Sequence, residues 1–228
     1  YWTFETYAQA CCSYERLQAP GFFSGMRNII DKLYDDDPEQ KAEACQRHME
    51  FYNSEFALVG PVILGAAIAM EEEKANGADI DGQAISAIKT SLMGPLAGIG
   101  DTLRQGTLIP IIGSIAIALG QAGNLFAPIF YMLATLALNW GISHTLFMKV
   151  YDKGTAFVAE FFQGNRMEKI MTIITTMGSV TIGALAANTV KLSTPLELTL
   201  GEKVLNIQAD ILDSVILNLL PFCAVMLV

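Results

Sequence analysis

Residues 91–106 read SLMGPLAGIGDTLRQG, and this stretch decides how the chain folds and where a functional site is expected. A Gly-Pro pair interrupts an apolar run, and the charged residues Asp101 and Arg104 follow before the next apolar run begins. A shorter echo, LVGPVILG, occupies residues 58–65. Backbone groups freed where a membrane helix breaks can face a polar cavity, and paired broken segments are typical of transporter binding sites. The sequence therefore predicts two broken helices beside a polar cavity.

The composition of the 228-residue chain is that of a membrane protein. Hydrophobic residues make up 52% of it and charged residues 16%, with a mean hydropathy of +0.39. A soluble domain carries about 25% charged residues, so much of this surface is expected to face lipid or a partner. The net charge of −9, without a basic stripe, excludes a nucleic-acid-binding protein.

Motifs for catalysis, cofactors and metals are missing from the sequence. Leu103 stands where a dinucleotide fingerprint needs its third glycine, and His48 and His144 are too far apart to indicate a metal site or a triad. The cysteines show no CxxC spacing and are interpreted as reduced thiols: Cys11, Cys12, Cys45 and Cys223. We therefore predict a protein without catalytic residues, cofactor or metal.

Residues 1–55 are a polar region that predicts amphipathic helices separated by a turn at residues 19–21. Asp37 is the predicted N-cap of a helix that begins at the following proline, with Gln40 at the reciprocal capping position. This helix is predicted to run to about Tyr52.

The rest of the chain divides into a broken-helix transport core at 56–142 and a C-terminal region at 143–228, whose end is expected to be truncated. The predicted segments are a broken or re-entrant helix at 56–70, a polar loop or surface helix end at 71–83 that is marked by Asn76-Gly77, apolar runs at 107–119 and 125–142, a polar loop at 143–169, a transmembrane helix at 170–190, a β-hairpin within 191–207 that is indicated by alternating apolar and polar residues, and a truncated span at 211–228. Four basic residues in 143–169, against two in 191–210, favour a cytoplasmic position for the first loop. The predicted fold class is an all-α integral membrane protein with amphipathic N-terminal helices, broken or re-entrant helices, several transmembrane helices and a short β-hairpin near 191–207.

Two interpretations of the charged residues remain open from the sequence alone. Asp101 and Arg104 could pair on one helical face and line a substrate cavity, or Asp101 could be the N-cap of a helix at the membrane surface. Likewise, Glu50 and Asn53 could bind sugar hydroxyls, or they could belong to an ordinary solvated helix end.

Four blocks of sequence, taken in order, carry a resemblance to a known family. They are SYERLQA at 13–19, RHMEFYN at 47–53, MEEEKANG at 70–77 and MGPLAGIGD at 93–101. Together they resemble the IID component of the mannose-type (mannose/fructose/sorbose/N-acetylgalactosamine) bacterial phosphotransferase system. The chain departs from mannose members after Asp101, where Thr-Leu-Arg-Gln replaces a more apolar, aromatic stretch, which puts mannose itself in doubt as the substrate.

The resemblance implies a multi-pass subunit of the bacterial inner membrane, embedded in lipid. Its implied partners are a IIC membrane subunit, soluble IIA and IIB subunits that carry phosphate, and the sugar; family members assemble as trimers of IIC–IID pairs. IID carries no phosphorylated residue, so the chain is expected to be a non-catalytic permease subunit. It would translocate a hexose or amino sugar with IIC while IIB phosphorylates it.

Six residues are expected by position to line or shape the sugar site. Asn53 and Glu50, together with the pair Gly100 and Asp101, are the main candidates, followed by two contacts from the first helices, Gln18 and Glu15. The alternative function is a scaffold that stabilises IIC without contacting sugar.

Overall fold

The computed structural model describes residues 1–154, 169, 172–173, 175–181, 183–184, 194–200, 203–212, 214 and 223. Its helices are α1 Trp2–Tyr7, α2 Ala19–Leu33, α3 Pro38–His48, α4 Gly60–Ala75, α5 Gly82–Gly100, α6 Ile109–Gln121 and α7 Ala127–Lys153. A π-helical segment, π1, spans Asp101–Leu108, and a second, π2, spans Ile207–Leu212. Strands β1 (Glu197–Leu200) and β2 (Lys203–Asn206) complete the described elements.

The predicted N-cap of α3, Asp37, is confirmed, whereas the reciprocal bond from the Gln40 side chain to the Asp37 backbone N–H is not formed, because that N–H donates to the Tyr34 carbonyl. The Asp37 side chain accepts a hydrogen bond from the Gln40 backbone N–H at 3.0 Å, and Gln40 Nε2 donates to the same carboxylate at 2.9 Å. The helix ends at His48 rather than near Tyr52, because the chain turns after the Met49 N–H has bonded back to the last helical turn.

The turn predicted at residues 19–21 is wrong, because these residues begin α2. Pro20 occupies the first turn, where its missing N–H breaks no intrahelical bond. The link between α1 and α2 is formed instead by residues 8–18.

The broken or re-entrant helix predicted at residues 56–70 is also wrong. The Gly-Pro pair begins α4 rather than interrupting it, with Pro61 in the first turn. The helix continues through Ala75, as the helix-end alternative for the start of 71–83 predicted. Every residue from Gly60 to Glu71 is buried, and α4 packs against α2, α5 and α7. This helix is the centre of the core and faces protein on all sides over that length.

A turn does follow α4 where Asn-Gly predicted one, with Gly77 at φ +93°. Asp81 then caps α5 by accepting from the Gln83 backbone N–H at 3.2 Å.

The predicted break at Gly94-Pro95 is absent, because α5, π1 and α6 form one continuous helix. This helix, Gly82–Gln121, has 40 residues and is the one helix within the described residues that is long and apolar enough to cross a membrane. At 1.5 Å per residue it is about 60 Å long, twice the thickness of a bilayer core. Pro95 is tolerated inside it at the cost of one backbone hydrogen bond, and the irregularity lies instead in the π-helical segment beginning at Asp101.

Helix α7 extends further than the sequence indicates. Its 27 residues include 143–153, which were predicted to begin a loop, and it ends at Gly154, where φ is +62°. Most of the remaining predicted loop lies outside the described residues.

The predicted hairpin is confirmed in its two strands, which pair antiparallel from Glu197↔Asn206 to Leu200↔Lys203. Within the predicted transmembrane helix at 170–190, the described residues are helical, and the others lie outside the described residues. Most of the predicted span at 211–228 also lies outside them.

Candidate functional site

An extended segment, residues 50–55, runs alongside α5 and gathers most of the predicted site residues. Glu50 lies 4.0 Å from Lys89 Nζ, the Asn53 N–H contacts Met93 Sδ at 3.3 Å, and further along Gly100 packs against Glu55. The distance along α5 from residue 89 to 100 is about 16 Å, and five extended residue steps cover about the same length. The 50–55 segment therefore follows one face of the helix.

Burial alternates from residue 51 to residue 54 within the 50–55 segment. Tyr52 and Ser54 are buried, whereas Glu50, Phe51 and Asn53 are exposed. One face of the segment is consequently part of the core, and the other presents side chains outward.

Gln18, a predicted sugar contact, is buried and is used inside the protein. Its Nε2 donates to the Ser54 carbonyl and its Oε1 accepts from the Ser54 N–H, both at 3.0 Å. The same residue's backbone N–H donates to the Tyr52 carbonyl at 2.9 Å. Gln18 thus holds the 50–55 segment in place.

Glu15 is exposed in the loop that precedes α2. This loop is bound to the 50–55 segment through the Tyr52 N–H, which donates to the Arg16 carbonyl at 3.3 Å. Leu17 adopts the left-handed conformation, with φ at +46°, which costs a non-glycine residue about 1 kcal/mol or more. Glu15 and Asn53 therefore lie on adjoining loops.

We expect Gln18→Ala to destabilise the protein by about 1–3 kcal/mol, because it leaves a buried backbone donor and acceptor of Ser54 without partners. The measurement is thermal unfolding of the detergent-purified protein. Gln46→Ala, on the exposed face of α3, is the matched control and is expected to change stability little. Equal stability of the two variants would contradict the holding role of Gln18.

Gly100 and Asp101 occupy the junction of α5 and π1. Gly100 is buried, and a Cβ atom there would lie 2.6 Å from both Glu55 Cβ and Val59 Cγ2. Asp101 is exposed, and its Oδ1 accepts from Gln105 Nε2 at 2.8 Å. Because the helix is continuous, Asp101 is not an N-cap, so that interpretation is wrong.

Arg104 does not form the expected pair with Asp101 among the described ion pairs. Its Nε donates to Asn139 Oδ1 at 3.1 Å and lies 3.8 Å from Glu55 Oε1, while its guanidinium sits 5.6 Å from the centre of the Phe56 ring. The expected pair was local in sequence, whereas the observed partners come from α7 and from the chain before α4.

Glu55 is a buried carboxylate that the sequence analysis missed. It accepts hydrogen bonds from the backbone N–H groups of Ala57, Leu58 and Val59 at 2.8–3.1 Å. The sequence does carry an indication that Glu55 is buried, since it directly precedes the 15-residue charge-free stretch 56–70.

Glu5 lies close to this carboxylate and joins α1 to α7. The Ser143 hydroxyl donates to Glu5 Oε1 at 2.6 Å and accepts from the Tyr1 hydroxyl at 3.1 Å. Burial, with an added contribution from the charge of Glu55, raises the pKa of Glu5 to about 7, against opposing hydrogen bonds. No motif in the sequence indicates this contact, because its partners are 138 residues apart.

A second polar network is centred on Glu71, which is fully buried in α4. Its carboxylate accepts from Tyr34 Oη at 2.6 Å, from Arg47 Nε at 2.6 Å and from His48 Nε2 at 2.8 Å. Burial alone would raise the pKa of Glu71, but the hydrogen bonds from His48, Arg47 and Tyr34 lower it to about 2. Burial lowers the pKa of His48, which favours the neutral ring donating from Nε2. The network ties α2 and α3 to α4.

Glu50 borders a different feature, a polar cleft of about 440 Å³ between α3 and the start of α5. The cleft is lined by Glu43, Gln46, Arg47, Glu50, Lys74, Asp81, Gly82, Gln83 and Ser86. Asn53 is not among these residues, so only Glu50 of this pair borders the cleft. Within the described part of the chain, no cluster of three metal-ligating side chains occurs.

The comparisons with known proteins agree with one another. The family model described as "EIID-AGA: PTS system mannose/fructose/sorbose family IID component" matches residues 1–228. The chain is 32% identical over 219 residues to the mannose-specific EIID component of the phosphotransferase system (PTS) of Escherichia coli strain K12, covering 93% of this chain and 76% of the relative. It is also 32% identical over 221 residues to the fructose permease IID component of Bacillus subtilis strain 168, covering 95% and 79%.

Solved structures show the same similarity. The mannose transporter ManYZ in complex with microcin E492 contains a chain with 30% identity and a TM-score of 0.64, at coverages of 98% of this chain and 83% of that one. A second structure, of a membrane protein, gives a TM-score of 0.80 at the same identity and coverage.

Proposed function

Since this chain belongs to the mannose/fructose/sorbose family of PTS IID components, and is thus a membrane subunit of a sugar transporter, we propose that it forms a sugar pathway jointly with a IIC subunit. The pathway carries a hexose or amino sugar, and transport is coupled to phosphorylation of the sugar by IIB, which receives phosphate from IIA. The subunit is itself non-catalytic, and it works in the bacterial inner membrane as a multi-pass protein within a trimer of IIC–IID pairs.

The observation that carries this proposal is that three of the predicted sugar contacts, Glu15, Asn53 and Asp101, are exposed polar side chains whose chain neighbours are fixed by contacts within the protein. The Arg16 carbonyl accepts from the Tyr52 N–H, the Ser54 backbone is bonded to Gln18, and Gly100 packs against Glu55. A site with one open side suits a ligand that is enclosed by a second subunit, as at other sites between protein surfaces.

Each residue has a role that its chemistry allows. The Asn53 amide can donate to and accept from neighbouring sugar hydroxyls, and the carboxylates of Asp101 and Glu15 can accept from them. Gln18 and Gly100 support the site from the core rather than touching sugar. Glu50 contributes from the adjoining cleft.

A scaffold function remains the second candidate, and one observation favours it. Two of the six predicted contacts, Gln18 and Gly100, are buried and used in internal packing. A solved complex with bound sugar discriminates between the two functions, because the scaffold function requires that no side chain of this chain lie within hydrogen-bond distance of the sugar.

We expect Asn53→Ala and Asp101→Asn each to reduce sugar uptake by about tenfold, the effect of losing one hydrogen bond of about 1.4 kcal/mol. Uptake is measured with radiolabelled hexoses and hexosamines in cells that express the chain with its own IIC and IIB, and assembly is checked by co-purification of IIC. Asn76→Ala and Asp79→Asn make the same changes at exposed positions near the start of α5 and serve as controls. Normal uptake by both site variants would refute the site.

A further inference from the structure

Four elements meet around Arg104, which follows the proposed sugar contact Asp101 by three residues. We call this meeting point the acidic junction, and it consists of Glu5, Glu55, Arg104, Asn139 and Ser143. It joins α1, the end of the 50–55 segment, π1 and α7. None of these residues is among the proposed sugar contacts.

Arg104 is the cation of the acidic junction and connects three of its elements. It bonds to Asn139 on α7, lies 3.8 Å from the Glu55 carboxylate and covers the Phe56 ring. Its position in a π-helical segment fits a functional role, because such insertions are frequent at functional sites.

The acidic junction is linked to the sugar site by short stretches of backbone. Asn53 is two residues before Glu55, and Asp101 is three residues before Arg104. At Gly100 the two stretches already touch, since no space exists there for a Cβ atom. Because the two stretches are in contact there, a backbone shift of either stretch changes the separation of Asn53 and Asp101.

We propose that Arg104 is a positioning residue of the sugar site, which fixes the separation of Asn53 and Asp101 through its contact with Glu55. Glu5 makes this contact dependent on pH. The proposal rests on the proposed function for the identity of the site. The effect of Arg104 and Glu5 on the 50–55 segment can be measured without sugar.

The pH dependence follows from the number of charges in the acidic junction. Ser143, which bonds to Glu5, lies one helical turn along α7 from Asn139, which bonds to Arg104. When Glu5 is ionised, the charge of Glu55 disfavours this second negative charge near it. The raised pKa of Glu5, about 7, brings its ionisation into the neutral range. Below that pH Glu5 is neutral, and Arg104 is shared by Glu55 and Asn139. Above it, the Glu5 carboxylate competes for Arg104, and the contact between Arg104 and Glu55 weakens.

The other groups facing Glu5 can be named element by element. The Tyr1 hydroxyl lies just before its own helix, and α7 contributes Ser143 and, beyond the Tyr1 ring, His144. Helix α2 packs on α1 through Phe22, which carries no charge.

The first test measures transport at varied pH in vesicles containing the full complex, with radiolabelled mannose, fructose and sorbose as probes. Arg104→Gln is expected to raise KM about tenfold with a smaller change in kcat, and Arg104→Lys to recover part of this. In the unaltered chain, KM is expected to rise as pH increases through about 7, whereas Glu5→Gln gives a flat profile. An unchanged KM in Arg104→Gln overturns the proposal.

The second test needs no sugar. The four native cysteines are replaced by serine, and Asn53→Cys is introduced. The rate at which a maleimide labels this cysteine is measured from pH 5.5 to 8.5, once with Glu5 unchanged and once with Glu5→Gln. The ratio of the two rates cancels the titration of the thiol itself. A ratio that changes around pH 7, and that becomes constant when Arg104→Gln is added, supports the proposal; a ratio that is constant in both backgrounds overturns it.

The two tests separate failure of this inference from failure of the proposed function. If the Asn53→Ala and Asp101→Asn variants transport normally, the sugar site is wrong, yet the labelling ratio still decides whether Arg104 and Glu5 control the 50–55 segment. If those variants are defective and the ratio is constant, only the positioning role is wrong.

Discussion

Glu71→Gln is expected to destabilise the protein by about 3–5 kcal/mol, the usual cost of removing one partner of a buried ion pair. The substitution preserves shape but removes the charge that faces Arg47, whose side chain is 8% exposed, and that accepts hydrogen bonds from Tyr34 and His48. For a chain of this size the loss corresponds to a fall in melting temperature of about 10 °C. Thermal unfolding of the detergent-purified complex, together with its abundance in membranes, measures the effect.

The neighbouring exposed carboxylate provides the control. Glu73→Gln removes the same charge two residues away on α4, at an exposed position, and is expected to change stability by less than about 0.5 kcal/mol. Comparable losses in the two variants would show that the network around Glu71 contributes nothing beyond net charge.

The Glu71 network also has a defined pH signature. The pKa of Glu71 is lowered from 4.5 to about 2 in the folded protein, so the unfolded chain binds more protons between these values. Its contribution to stability is therefore complete above pH 4.5 and is lost as pH falls toward 2. Acid titration of the unaltered protein should show this loss, and Glu71→Gln should be missing that component.

Gly100→Ala is expected to reduce transport by at least about tenfold, because the added methyl would lie 2.6 Å from side-chain atoms of both Glu55 and Val59. Both neighbours are buried against the helix, so either α5 or the 50–55 segment must move outward. Such a movement displaces Asn53 from Asp101. Uptake in cells and the melting temperature of the complex are measured together, since overpacking costs about 1–3 kcal/mol in stability.

Gly98→Ala is the matched control on the same helix. A Cβ atom at Gly98 has no neighbour within 4 Å, and alanine has a higher helix propensity than glycine by about 1 kcal/mol. Gly98→Ala should therefore leave stability unchanged or raise it. If Gly100→Ala transports as well as Gly98→Ala, the close approach at Gly100 has no functional importance.

Local features of the fold were predictable from the sequence because their causes lie within a few residues. Asp37 forms the expected N-cap because its carboxylate and the Gln40 backbone N–H belong to one helical turn. The alternation in 197–200 gives the strand pairing, and the Asn-Gly pair at residue 77 gives the turn. Composition and ordered sequence blocks were also sufficient to indicate a membrane subunit of the correct family.

The predicted helix breaks failed for a physical reason that sequence alone does not show. Proline is tolerated in the first turn of a helix, as at Pro61, and costs about one backbone hydrogen bond inside a helix, as at Pro95. Whether that cost ends the helix depends on the packing of the flanking turns. Here α5, π1 and α6 remain continuous, and α4 is enclosed by its neighbours.

The partners of the charged residues were decided by tertiary structure. Arg104 bonds to Asn139 rather than pairing with Asp101, and Glu5 bonds to Ser143 across 138 residues. Electrostatic partners in a poorly solvated interior depend on distance in space, and these distances arise only when α1, α7 and the 50–55 segment pack together. The stretch 91–106 by itself determined that charged residues would lie within an apolar segment of the chain. Only the fold decided that Arg104 contacts Asn139 and Glu55 and that the backbone there remains helical.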